Sequence, residues 1–305
     1  MSKPLTVEFG KLRKIYDLLE KDHECAGTLV VKNNEIKGYT ISRGDVDSVH
    51  TPLAPWNWHS HPLFLYTREN VSWGWPSGED LREVIFFGLG GNNAHFVFAL
   101  EGVYILQITP CFKKWMTEEI RNQWDRGIII AILEMIFKST HNLRTNSYNA
   151  KYPITPQDWI NMVRRIRLKF LFATPNKNKD PCGKITCSRI TTHEGTREKE
   201  LIPVQDYAEQ YEGNTILVYK VGKKGSINGS KKMQISAVLK RLEELADDLH
   251  RACPNSRIYN VQFRFNNGLP PRLTKLKAME RSKQYKTIKQ VKPPSGVVKF
   301  NFGGV

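Results

Sequence analysis

Long apolar runs, acidic residues and paired cysteines are all scarce in this sequence of 305 residues. No run approaches the length of a bilayer-spanning helix, so no membrane span is expected. The opening MSKPLTVEFGKLRKIYDLLE does not read as a signal peptide. The five cysteines (Cys25, Cys111, Cys182, Cys187 and Cys253) are odd in number and widely scattered. Such usage predicts a reducing, cytoplasmic compartment without a disulfide framework. Cys182 and Cys187 bracket GKIT, but no second Cys/His pair has zinc-finger spacing, so a structural zinc is not expected there. Acids number 30 against 46 lysines and arginines, a net charge of +16. That excess points to acidic partners such as nucleic acid, an anionic surface or an acidic protein.

What remains is an ordinary globular composition, 40% hydrophobic and 25% charged, long enough for one large or two medium domains. Residues 7–21 place Val7, Leu12, Ile15, Leu18 and Leu19 at near-helical spacing. ECAGTLVV reads as a buried strand and NNEIKGYTIS as its partner, with the two asparagines turning the chain. WNWHSHP follows as a third strand, and PSGEDLREVIFFGL opens a helix at Ser77 with Asp80 three residues on. HFVFAL and GVYILQIT form a hairpin, and a long amphipathic helix is expected over 114–138. The element order predicts an α+β (α/β-like) domain over residues 1–145.

A smaller α+β domain is expected over 150–268. It opens on the helix start Thr155-Pro156-Gln157-Asp158. Strands are expected at GKITCSRITT, EKELIPV and NTILVYKVG, then a helix over 236–253 and a strand at SRIYNVQFRF. Residues 269–305 read as an extended basic tail. From Arg272 onward it carries nine lysines and arginines against Glu280 alone. Its large apolar residues are too sparse for a core.

The chemistry concentrates in the first unit. In a strand, residues i and i+2 share a face, so His59 and His61 of WNWHSHP point the same way. Downstream lie Ser77 and Asp80, and upstream lies Glu24 in E-x-x-G-x-L. Taken in order, a strand glutamate, H-S-H-P and S-x-x-D resemble the JAMM/MPN+ (JAB-domain) zinc metalloprotease family over roughly residues 7–140. Glu35, beside a turn, is the weaker match for the glutamate. The resemblance implies a mixed sheet flanked by helices and one catalytic Zn2+. It also implies hydrolysis of an amide or isopeptide bond in a ubiquitin-like or other protein substrate.

The residue types suit that chemistry. A catalytic zinc takes three protein ligands and leaves a position for water, whose pKa it lowers to about 7. His59, His61 and Asp80 supply two nitrogens and an oxygen, Glu24 a general base, and Ser77 a hydroxyl for the developing oxyanion. One stretch departs from the family: fourteen residues, Leu63 to Pro76, separate HSHP from the serine, about twice the usual length. Phe64, Tyr66, Trp73 and Trp75 there could form a substrate loop or lid over the zinc, plug the site, or pack as a surface cluster. A second class of function is a structural or assembly component of a large complex, such as a minor capsid protein in a virus particle. In that reading, tail residues 272–305 clamp protein neighbours. Nucleic acid is the less favoured partner, because no recognised nucleic-acid motif accompanies the basic residues.

Overall fold

The computed structural model describes residues 4–46, 48–69, 71, 73–138, 154–166, 168, 215–253, 257–267 and 291–302. Strands β1 (Leu5–Glu8), β2 (Cys25–Lys32), β3 (Glu35–Tyr39), β4 (Ser42–Arg43) and β5 (Trp56–Ser60) come first in the chain. Then follow β6 (Ala94–Phe98), β7 (Gly102–Ile108), β8 (Thr215–Val221), β9 (Ile227–Gln234), β10 (Tyr259–Phe265) and β11 (Val297–Phe300). Helices are α1 (Arg13–Asp17), α2 (Leu63–Arg68), α3 (Gly78–Leu89), α4 (Pro110–Lys114), α5 (Gln123–Lys138), α6 (Pro156–Arg165) and α7 (Ile235–Ala252). Nine strands form one mixed sheet in the order β10-β7-β6-β5-β2-β3-β1-β11, with β4 also on β2, while β8 and β9 form a separate hairpin. The protein is therefore of the α+β class. Among the described residues no helix is long and apolar enough to cross a membrane.

Alternation along the central strands sorts side chains onto two covered faces. Phe96, Phe98, Val103 and Ile105 join Trp58 and the residues of β1 and α1 in one core. Val97, Tyr104 and Leu106 meet α3, α5, α6 and α7 in the other. β5 lies between β2, antiparallel, and β6, parallel, so its backbone is paired on both sides. Gly27 permits this, because a Cβ there would meet the Thr40 carbonyl oxygen at 1.9 Å and Trp58 Nε1 at 2.9 Å. The two asparagines do turn β2 into β3: Asn33 and Asn34 have φ of 52° and 59°, a pairing that suits a tight hairpin.

Several sequence expectations are corrected. Residues 7–21 are not one helix. β1 runs through Val7 because it pairs with β3 and β11, and only short helical turns follow. The helix expected over 114–138 is broken. A π-helical turn over Trp115–Glu119 ends at Ile120, whose extended backbone precedes α5. Buried Arg126 explains the break: its guanidinium donates to the carbonyls of Ile120, Met116 and Val221, taking the place of helical partners. The helix start at Thr155 is present, with Asp158 completing a capping box. Cys111 and Cys253 form a disulfide across 142 residues, contrary to the expectation of none. So wide a separation gives no spacing signal, and the cysteine argument for a reducing compartment falls with it.

β10, expected in the second unit, is an edge strand of the main sheet, paired along β7 from Ile108 to Gly102. β11, expected in the basic tail, pairs with β1, and Phe300 is buried against Phe9. The strands expected at GKITCSRITT and EKELIPV, the loop over 142–152, Cys182 and Cys187, and tail residues 269–290 lie outside the described residues.

Candidate metal centre

β5 carries Asn57 and His59 on the face covered by α3, and His61 continues that face, its amide donating to the Phe98 carbonyl at 2.8 Å. Register with β2 pairs Ala26 with His59 and therefore sets Glu24 across from His61. α3 begins here because Ser77 caps it. The Ser77 hydroxyl accepts from the Asp80 amide at 3.1 Å, and Asp80 Oδ2 accepts from the Ser77 amide at 2.6 Å. The capping aspartate is thereby aimed at the histidines. Its Oδ1 lies 3.2 Å from His59 Nε2 and its Oδ2 3.4 Å from His61 Nε2. The two Nε2 atoms are 3.0 Å apart.

The arrangement fits a metal ion. The Nε2–Nε2 spacing, and the approach of each histidine to its own oxygen of Asp80, lie near the edge of about 3.3 Å that a tetrahedron of ligands about 2.0 Å from zinc would have. All candidate ligand atoms lie within 4.8 Å of one another. Two imidazole nitrogens and a carboxylate converging in a buried place need a cation between them, whether a metal ion or a proton. With no metal, the proton plays that part. Burial alone would lower His61, but its hydrogen bond to Asp80, the Asp80 charge and nearby Glu24 raise it to about 9. Asp80 moves the opposite way: burial opposes its charge, yet the two histidines hold it well below the ordinary carboxylate range.

Glu24 is buried at 7% exposure. Burial pushes its pKa up, against the attraction of His61 and His59, which makes it a better proton acceptor than a surface carboxylate. Glu24, Ser77, Asp80 and both histidines line one cavity of about 850 Å³. Ser77 Oγ accepts from a backbone amide there, so its own hydrogen remains available to a ligand. Glu35, the weaker candidate, is exposed in β3 and bonded to Lys37.

The inserted stretch is part of the site's foundation. Tyr66 and Trp75 are buried in the two cores, Trp73 packs partly buried against one of them, and Phe64 is 37% exposed. Tyr66 donates its hydroxyl to Glu101, whose carboxylate also accepts from Tyr104 and from the Gly74 amide. The Gly74 carbonyl in turn faces His61 Nδ1 at 2.7 Å.

Sequence reasoning missed three features. His95, in β6, lies 2.7 Å from His59 Nδ1. Burial, then the neighbouring His59, holds its pKa well below the ordinary histidine value. Loop residues 48–51 and the β8–β9 turn, Lys224 to Ile227, form further walls of the cavity. Only the pairing of β5 with β6 and the docking of the hairpin bring these together, and no local pattern announces either. Comparison of the chain with known family models, curated proteins and solved structures yields no match.

Proposed function

We propose that the chain is a zinc-dependent amide or isopeptide hydrolase of JAMM type, acting on a ubiquitin-like or other protein substrate. The observation that carries this reading is the convergence of His59 Nε2, His61 Nε2 and the Asp80 carboxylate in the wall of a cavity that also holds Glu24. Those three side chains would hold the ion, which when bound supplies a Lewis acid and activates water at neutral pH. Glu24, across from His61, accepts the proton of the attacking water and returns it to the leaving amine nitrogen. Ser77 donates its hydroxyl hydrogen to the carbonyl oxygen as that oxygen gains charge. The mixed sheet, with β2 beside β5 and α3 starting over their ends, is the kind of frame this resemblance implies. The alternative of an assembly component rests on the +16 charge, the inserted stretch and a tail too sparse in apolar residues for a core, of which residues 297–300 pair with β1.

Glu24→Gln removes the base and no ligand. Turnover of a ubiquitin-linked lysine substrate should fall by about 10²–10⁴-fold while metal content stays that of the wild type. Undiminished turnover in this variant would contradict the assignment.

A further inference from the structure

His95 is not one of the three converging groups, yet it is 1% exposed beside one of them. The hydrogens along its line of contacts follow from the far end. Asn57 Nδ2 donates to the Pro52 carbonyl at 2.9 Å, which turns Oδ1 toward Asn92 Nδ2 and His95 Nδ1, each 2.9 Å away. Asn92 also donates to the Ala54 carbonyl at 2.7 Å. An amide oxygen only accepts, so His95 Nδ1 carries a hydrogen. That hydrogen is spent on a neutral amide, so the other ring nitrogen, Nε2, is the one left to accept a hydrogen bond.

That nitrogen faces His59 Nδ1 at 2.7 Å. The ring centroids are 4.8 Å apart and the planes 21° from parallel, so the nitrogens meet edge to edge. His59 Nδ1 must then be the donor, so Nε2, the nitrogen that faces Asp80, is the one free to ligate a metal ion. At His61 a backbone carbonyl, that of Gly74, achieves the same result.

We propose that His95, itself oriented by Asn57 and Asn92, is a positioning residue that fixes His59 as an Nε2 metal ligand. This rests on the metal reading above. The outer partner of a ligating histidine sets its tautomer and ring orientation, and its loss typically weakens metal binding about 10–100-fold.

The test is zinc affinity by chelator competition, together with the visible spectrum of the cobalt(II) form, in the full chain. Zinc-binding wild type is the reference. His95→Phe keeps a ring of similar size and removes the acceptor. It should lose about 10–100-fold in zinc affinity and alter the cobalt spectrum. His95→Gln restores an amide oxygen for His59 and a donor for Asn57, and should recover most of the affinity. Asn92→Ala, a milder change at the end of the line, should show a smaller loss and serves if the phenylalanine variant does not fold. Wild-type affinity and spectrum in His95→Phe, or in Asn92→Ala where that variant stands in, would overturn the proposal. So would a glutamine variant as impaired as the phenylalanine one. A wild type that takes up no zinc would instead remove the metal reading, and this inference with it.

Discussion

At the middle of the sheet, β2, β5 and β6 are drawn from residues 25–98, whereas its two ends, β10 and β11, come from residues 259–265 and 297–300. In the middle, β5 and β6 are buried on nearly their whole length, β2 only over its first half, and the buried polar groups have partners: Asn57 on Pro52, Asn92 and His95, and His61 on Gly74. The ends are half-exposed. β10 leaves Phe265 49% exposed, and β11 leaves Val297 59% exposed. A metal site needs side chains held to a fraction of an ångström, and β5, between β2 and β6, has the neighbours on both sides that the edge strands β10 and β11 lack. The ends complete the cores and close the sheet without touching the cavity.

Substitutions at the two places should separate these roles. Phe96, fully buried with Trp58 in the core shared with β1 and α1, should cost about 3–5 kcal/mol when replaced by alanine, measured by urea unfolding. Phe300→Ala in β11 removes a ring packed on Phe9. It should cost about 3 kcal/mol, at the lower end of that range because an edge strand can settle into the gap, and zinc affinity should stay that of the wild type. A fall in zinc affinity in Phe300→Ala would break the division between middle and ends.

A smaller effect is expected at Glu101, which ties the inserted stretch to the middle. Glu101→Gln keeps an acceptor for the Gly74 amide and weakens the bonds from Tyr66 and Tyr104, at a cost of about 1 kcal/mol. Burial raises the pKa of Glu101, so its folded value lies above the unfolded value of about 4.3. Its contribution is complete below that unfolded value and is lost as pH rises through the folded one. The stability gap between wild type and Glu101→Gln should therefore be widest in acid and narrow toward neutral pH. A gap that widens with pH would show that the three donors outweigh burial.

The same contrast explains what could be read in the sequence. His59, His61, Ser77 and Asp80 lie within 22 residues of one another in the chain, and strand alternation and helix capping act over exactly such short spans. Those rules made each pair legible, and the convergence of the two pairs was legible only through the resemblance of the whole motif. The pairing of Asn57 with His95 was not, since a parallel neighbour carries no turn between its strands to set the register. Nor were β10 and β11, whose partners lie 151 residues or more away from Tyr259↔Ile108 onward and 289 or more away from Val297↔Glu8 onward. The broken helix at Ile120 follows from Arg126, an ordinary helix former whose burial only the tertiary packing decides.

The most direct test of the account is zinc-edge X-ray absorption on the zinc-loaded full chain, with metal content measured on the same sample. The account predicts one zinc per chain bound by two imidazole nitrogens and a carboxylate oxygen, with that signal lost in Asp80→Ala. A zinc coordinated by sulfur, a chain that retains no zinc, or an Asp80→Ala variant with an unchanged spectrum would contradict it.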